Sequence, residues 1–145
     1  MDSVDRNILR ALSDNSRLSF KQLGEIVHTS DVTAKARVAR LVDSGVIADF
    51  TTTVDKSKLG LSLEVTIGVT ADPGMVDEVI ERLSTFDEYY LIWKTSGAHS
   101  MNLRGAFRDH VHMNEVLNKS LGVYGVREYH LSILDRVAKS KQFIP

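Results

Sequence analysis

The stretch from Leu18 to Gly45 constrains the fold most, because its pattern indicates two short helices separated by a tight bend. Ser19 and Gln22 have the spacing of a capping box, in which each side chain binds a backbone N–H group at the start of a helix. The bend that follows contains neither proline nor glycine, so we expect a capping side chain to begin the second helix. The predicted buried stripe of the first helix consists of Leu23, Ile26 and Val27.

The second helix, predicted over residues 31–44 with Ser30 or Asp31 as its cap, has two different faces. Its apolar face has the spacing of a helix packed on a core; the residues are Ala34, Val38, Leu41 and Val42. On the other face, small side chains allow close approach to base edges in the major groove of duplex DNA, and cations contact phosphates. The predicted DNA-binding residues are Ser30, Thr33, Lys35, Ala36, Arg37 and Arg40. A solvated amphipathic helix is the alternative interpretation.

Composition limits the classes of function. The 145 residues allow at most two small domains, and 43% hydrophobic residues are enough for a core in each. Cysteine is absent, which excludes disulfides and thiolate metal sites. No apolar run has membrane-spanning or signal-peptide character, so we expect a soluble cytoplasmic protein. The net charge of −1 argues against coating of nucleic acid by bulk charge, so any DNA contact must be local.

Two further elements complete the N-terminal part. Residues 3–13 are predicted to form the first helix of the chain, with Asp2 or Ser3 as its cap. Three helices in about 45 residues bury little surface, so this unit needs help from another part of the protein. After the helices, apolar and polar residues alternate over 46–54, which predicts a strand or short wing.

A polar turn at residues 55–60 marks the predicted boundary between two domains, 1–54 and 55–145. The second domain shows strand and helix patterns in the order βαββαβ, the ferredoxin-like arrangement with two helices on one face of a four-stranded sheet. Asp72 and Pro73 are expected to begin the first of these helices. The predicted fold class is therefore α+β, with a three-helix, winged helix-turn-helix domain followed by a ferredoxin-like domain. The predicted strands are 61–70, 89–95, 101–107 and 127–135.

The strand at 89–95 is apolar on both of its faces, although the helices of this fold cover only one face of the sheet. A second copy of the chain is the expected cover for the bare face. The resulting C2 dimer would carry two helix-turn-helix units, which suits a twofold DNA site. The predicted dimer-interface residues are Tyr90, Leu91, Ile92 and Trp93.

Several short segments match a known family in order and spacing; they are Val4-Asp5-Arg6-Asn7-Ile8-Leu9, Gly45-Val46-Ile47 with Phe50-Thr51, Val54-Asp55 with Leu59-Gly60, and Thr95-Ser96-Gly97. Through them the chain resembles the Lrp/AsnC family, the leucine-responsive and asparagine-type transcription regulators of bacteria and archaea, over essentially its whole length. The resemblance implies a helix-turn-helix joined to a ferredoxin-like domain. It further implies that this domain dimerises, often assembles into octamers, and can bind an amino acid between dimers.

The chain departs from the family pattern in two places. The family usually has cations at the positions of Ala36 and Ala39, which leaves Arg37 and Arg40 here. It commonly has an acidic residue at the position of Ser100. We therefore expect weak or no binding of free amino acids, because a charge-assisted bond to the ammonium group is missing. The effector-binding residues that the resemblance implies are Ser96, Gly97, Ala98, His99 and Ser100.

Other classes of site are less well supported by the residues. His110 and His112 diverge by about 200° on a helix, so they do not share a metal ion. For His99, which lies in the turn where the family binds its effector, a structural role is the favoured interpretation. The aromatic residues around Trp93 resemble a base-stacking platform, but only Lys94 supplies a cation among them, which favours a dimer core.

Function follows from these interpretations. We expect a sequence-specific DNA-binding transcriptional regulator that an amino-acid-like effector modulates, with an effector-independent architectural DNA-binding protein as the alternative. An enzymatic ferredoxin-like module would need a convergent acid, base or nucleophile, and the sequence shows none. We expect no cofactor and no metal.

Overall fold

The computed structural model describes residues 1–138, 140 and 143–144, so the predicted second domain ends partly outside the described residues. The chain forms two compact units, and their main parts are Met1–Thr53 and Val54–Val137. None of the helices in the described part of the chain has the length and apolar character needed to span a lipid bilayer.

The first unit consists of three helices, α1 (Ser3–Asp14), α2 (Phe20–Ile26) and α3 (Asp31–Asp43). The predicted capping box at the start of α2 is present, and α1 begins with a second one formed by Asp2 and Asp5. The helices share a small buried core that consists of Ile8, Leu23, Val27, Ala34, Val38 and Leu41.

Two residues that were predicted for this core are exposed, Ile26 on α2 and Val42 on α3. Each lies next to a buried residue in the sequence and is therefore turned by about 100° around the helix axis. Because the three helices meet along narrow stripes, that rotation is enough to place both side chains in solvent.

The bend between α2 and α3 depends on a cap and on two backbone features. Ser30 caps α3, since its hydroxyl accepts a hydrogen bond from the N–H of Thr33 at 3.1 Å. His28 has a left-handed backbone, with φ of 57°. Gly24 permits a close chain crossing, because a Cβ atom there would lie 2.7 Å from the carbonyl oxygen of Thr29. The sequence predicted the cap, whereas the sharpness of the bend comes from the backbone at Gly24 and His28.

The strand or wing predicted over residues 46–54 is not formed. Alternating apolar residues make a strand only when a neighbouring strand pairs with its backbone groups. This segment has no such pairing in the described chain, and Val46, Phe50 and Val54 are exposed. A short 3₁₀ turn, Lys56–Leu59, follows it and begins at the capping side chain of Asp55.

The second unit has the predicted βαββαβ order. Its elements are β1 (Leu63–Ala71), α4 (Val76–Leu83), β2 (Tyr89–Lys94), β3 (Met101–Phe107), α5 (His110–Ser120) and β4 (Val126–Ile133). The four strands form one antiparallel sheet in the order β2-β3-β1-β4. Both helices pack on one face of it, over a core that includes Ile67, Val79, Leu103, Phe107 and Leu117. This arrangement confirms the predicted ferredoxin-like fold.

Helix α4 begins later than predicted. The N–H of Met75 donates to the carbonyl of Asp72 at 3.0 Å, which closes a turn. Within that turn Gly74 has φ of 85°, a left-handed conformation that glycine adopts readily. Asp72 and Pro73 therefore precede the helix, and α4 begins at Val76 without a side-chain cap.

Candidate nucleic-acid interface and effector pocket

The predicted DNA-binding residues of helix α3 and its cap fall into three groups. Thr33, Lys35 and Ala36 are exposed to solvent. The side chain of Ser30 serves the helix itself, because its hydroxyl accepts from the N–H of Thr33 and donates to the Thr33 hydroxyl at 2.8 Å. Arg37 and Arg40 are held by acidic side chains of α1 and its cap.

The acid–arginine cluster, defined here as Asp2, Asp5, Arg37 and Arg40, joins α1 to α3. Arg37 donates to Asp2 at 2.7 Å and to Asp5 at 2.8 Å. The Nη2 atom of Arg40 lies 2.9 Å from both carboxylate oxygens of Asp5. The Asp5 side chain is only 2% exposed, whereas those of Arg37 and Arg40 are 25% and 63% exposed. The buried carboxylate therefore has two cationic partners, both from α3.

These contacts change the acidity of the carboxyl groups in the cluster. Hydrogen bonds from the N–H of Asp5 and from Arg37 lower the pKa of Asp2 to about 2. Burial by itself raises the pKa of Asp5, but the N–H of Asp2 and the two arginines outweigh it, so the pKa of Asp5 lies below its ordinary value. Hydrogen bonds to the carboxylates of Asp2 and Asp5 raise the pKa of Arg37. Asp2, Asp5 and Arg37 are therefore charged at neutral pH.

The cluster has a direct consequence for nucleic-acid binding. The sequence indicated a basic patch of Lys35, Arg37 and Arg40. In the structure the charges of both arginines are balanced by Asp2 and Asp5. Contacts of Arg37 and Arg40 with DNA stay predictions, and such contacts require these side chains to exchange or share their acidic partners.

The turn between β2 and β3 forms one wall of an open pocket of about 260 Å³. Four of the five residues predicted for effector binding line it, and Ser96 is the exception. The lining residues are Thr70, Val76, Lys94, Thr95, Gly97, Ala98, His99 and Ser100. Lys94 reaches across to Asp77 on α4 with an N–O distance of 2.7 Å, and both side chains are well exposed. The pocket is smaller than typical ligand sites of about 300–1,000 Å³.

Ser100 has a structural role that was not predicted from the sequence. Its hydroxyl oxygen accepts from the N–H of Ala71 at 3.1 Å, where the pairing of β1 with β4 shifts register. Its own N–H donates to Val69, and its carbonyl accepts from Thr95. The side chain therefore joins the turn to the end of β1, and its hydroxyl oxygen is already engaged.

His99 packs on the sheet. Its ring covers Gly68 of β1 so closely that a side chain at residue 68 would collide with it. The ring centroid of His130 lies 5.3 Å away. The buried Nδ1 atom of His99 has no hydrogen-bond partner among the described residues. These contacts support the structural role that the sequence favoured, while the ring also borders the pocket.

A bulge in β2 decides which of its apolar residues face solvent. Tyr89 pairs with Gly105, but Leu91 pairs with Arg104, so Tyr90 is the extra residue. Ile92 consequently packs against the core beneath the helices. The other three residues that were predicted for the dimer interface are exposed; they are Tyr90, Leu91 and Trp93. The assignment of Ile92 to the dimer interface is therefore corrected, because its side chain is used inside its own unit.

No group of three or more His, Asp or Glu side chains in the described part of the chain is placed to hold a metal ion. His112 instead lies 3.1 Å from Glu88, and its Nδ1 atom accepts from the N–H of Arg108 at 3.3 Å. This histidine therefore has local structural partners.

A capped helix-turn-helix unit followed by a ferredoxin-like sheet with a pocket at one turn defines a class of two-domain DNA-binding regulator. The comparison with protein families agrees with that class. Residues 1–42 match the AsnC-type helix-turn-helix domain, and residues 64–142 match the Lrp/AsnC ligand binding domain.

Relatives and solved structures extend the comparison. The chain is 31% identical to an HTH-type transcriptional regulator of Pyrococcus horikoshii, over 96% of this chain and 89% of the relative. It is 29% identical to LrpB of Bacillus subtilis, over 92% and 89%. AsnC of E. coli has the same fold, with a TM-score of 0.90, 22% identity and coverage of 100% and 99%. So does a transcriptional regulator of Neisseria meningitidis in complex with L-Met, with a TM-score of 0.91, 23% identity and coverage of 100% and 96%.

The chain belongs to the Lrp/AsnC family. It is therefore a transcriptional regulator with a DNA-binding helix-turn-helix domain and a ligand-binding domain. Members of this family are transcriptional regulators and not enzymes.

Proposed function

We propose that this regulator binds duplex DNA through the exposed face of α3, with residues 1–54 as the DNA-binding domain. The observation that carries the proposal is the geometry of α3. Its start is fixed by the Ser30 cap, and Thr33, Lys35 and Ala36 extend into solvent beyond the bend. Short side chains on that face allow the helix axis to come close to base edges in the major groove.

We further propose that residues 55–145 form the dimerisation and effector domain. The exposed row of Tyr90, Leu91 and Trp93 supports a homodimer through the open sheet face, because such apolar groups usually mark an interface. Assembly to a higher oligomer such as an octamer rests on the family resemblance. A twofold dimer would place two α3 helices about 34 Å apart, or a multiple of this, along the DNA. A cytoplasmic location also stays a prediction.

Lys35→Ala tests the DNA-binding face. Counterion release contributes a slope of about −0.9 in log K against log salt for each phosphate contact. We expect the variant to bind DNA more weakly and to have a shallower slope, by about 0.9 for each copy that contacts the duplex. Fluorescence anisotropy over a range of salt concentrations measures both quantities.

Lys119→Ala is the matched control, because Lys119 is also an exposed helical lysine but belongs to α5. It should leave the salt slope unchanged. Equal slopes for wild type and Lys35→Ala would show that the helix face is wrongly assigned.

We propose that the pocket beside the β2–β3 turn takes an amino-acid-like effector. The pocket position and the L-Met bound to the Neisseria relative support this class of ligand. The backbone N–H groups around Gly97 are suitable partners for a carboxylate, and so is Lys94 once the ligand replaces Asp77 as its partner. The ammonium group lacks a matching carboxylate at residue 100, where the Ser100 hydroxyl already accepts from Ala71.

Calorimetry against the twenty amino acids measures how tightly the pocket binds this class of ligand without an acidic residue at position 100. The missing charge-assisted bond corresponds to roughly 1.5–3 kcal/mol, about a ten- to hundredfold loss of affinity. We therefore expect no amino acid to bind with micromolar or tighter affinity. Micromolar binding of any one of them would refute the expectation and show that other residues hold the ammonium group.

The engaged Ser100 hydroxyl also favours a second candidate, an effector-independent architectural DNA-binding protein of the same fold. The two candidates share the chemistry of α3 and differ in the pocket. DNA binding that no amino acid changes, measured beside the calorimetry, would support the architectural function.

A further inference from the structure

Val32 is an apolar side chain in an unusual place. It is the second residue of α3 and is 73% exposed. Its N–H donates to the side chain of Asp31 at 2.8 Å, which holds the first turn of the helix. In helix-turn-helix proteins, the N-terminal residues of the second helix contact base edges. Val32 therefore occupies the part of the helix from which bases are read, and it was not among the DNA-binding residues predicted from the sequence.

The geometry of α3 points Val32 and Ala36 outward together. Residues four apart lie on one helix face, and both side chains are exposed. The buried residues of α3 lie on the opposite side; they are Ala34, Val38 and Leu41. Arg37 and Arg40 turn toward Asp2 and Asp5. The side chains that face directly away from this core in the first two turns are therefore those of Val32 and Ala36, with the exposed Thr33 and Lys35 on either side of them.

This arrangement limits the chemistry of base recognition. Bidentate hydrogen bonds from arginine to guanine are the commonest specific contact in the major groove, but here both arginines are already ion-paired. The apolar feature of the major groove is the C5-methyl group of thymine. A branched side chain beside a small one is complementary in shape and polarity to that methyl group.

We propose that Val32, with Ala36, determines specificity by contacting a pyrimidine C5-methyl group in the major groove. The inference rests on the proposed binding of duplex DNA by α3 and names what that helix reads. Removing one contacted methyl group should weaken binding about fourfold, the factor that corresponds to one buried methylene-sized group.

The test begins with duplexes selected from a random-sequence pool by the full-length protein. In the best selected duplex, each thymine is replaced in turn by deoxyuridine, which removes the methyl group and keeps the base pair. We expect at least one replacement to weaken binding by about fourfold. The Val32→Ala variant should lose most of this preference, because it lacks the larger of the two side chains that contact the methyl group.

Val111→Ala is the matched control, since Val111 is the second residue of α5 and is 68% exposed. It should keep the wild-type preference for thymine over deoxyuridine. The inference is wrong if wild type binds the duplex but no replacement of thymine by deoxyuridine weakens that binding. It is also wrong if Val32→Ala keeps the wild-type preference for thymine. Either result leaves the proposed DNA binding by α3 in place. If no duplex is selected, the proposed function fails and this inference fails with it.

Discussion

Replacing Arg37 and Arg40 together by alanine should lower the free energy of unfolding of the first unit by about 3–5 kcal/mol. The cause is Asp5, whose carboxylate is almost fully buried and loses both cationic partners at once. A buried charge without a partner is far more costly than a broken surface ion pair. Urea unfolding followed by far-UV circular dichroism measures the loss, because the first unit supplies more helical residues than the second.

The matched control removes two exposed cations of the same unit, with the double variant Arg17→Ala and Lys21→Ala. It makes the same change in net charge and should change the stability by less than about 0.5 kcal/mol for each position. A similar loss in both double variants would mean that overall charge, and not the buried carboxylate, stabilises the unit.

The pH dependence of the same unfolding experiment tests how much the carboxylates of Asp2 and Asp5 contribute to stability. The pKa of Asp2 and that of Asp5 are lower in the folded protein than the ordinary value of about 3.9. Their contribution to stability is therefore fully present above pH 4 and is lost as the pH falls toward about 2, where Asp2 takes up its proton in the folded protein. Asp5→Asn should reduce this pH dependence, because the amide does not titrate.

Ile92→Glu and Trp93→Glu should have opposite consequences, although the two residues are neighbours on β2. Ile92 packs against the core of the second unit, and an unpaired charge there costs several kcal/mol. We expect Ile92→Glu to lose the folded second unit. Trp93 is exposed on the open sheet face, so Trp93→Glu should remain folded and lose dimerisation. Circular dichroism measures folding, and light scattering measures the size of the assembly.

Tyr124→Glu is the control for Trp93→Glu, because Tyr124 is an exposed aromatic residue outside the sheet. It should stay folded and keep the wild-type assembly. A folded and dimeric Trp93→Glu variant would place the interface elsewhere. A folded Ile92→Glu variant would contradict the packing of Ile92 against the core.

Local patterns in the sequence determined where the three helices of the first unit begin and the order of elements in the second unit. A capping box joins residues only three apart, so Ser19 with Gln22 predicted the start of α2 from the sequence alone. The alternation of apolar residues in β1 and β3 likewise predicted two strands and their buried faces. The βαββαβ order followed from these local signals, and with it the ferredoxin-like fold.

The tertiary structure decided which partner each side chain meets. Asp5 and Arg40 are 35 residues apart, and no periodicity relates a carboxylate on one helix to a guanidinium on another. The bulge at Tyr90 reverses the face that simple alternation assigns to Ile92, because one extra residue shifts the register of β2. The alternating segment at 46–54 forms no strand because a strand depends on backbone hydrogen bonds to a neighbour, which its own sequence does not contain. Sequence periodicity describes one element at a time, whereas ion pairs, register and strand pairing depend on two.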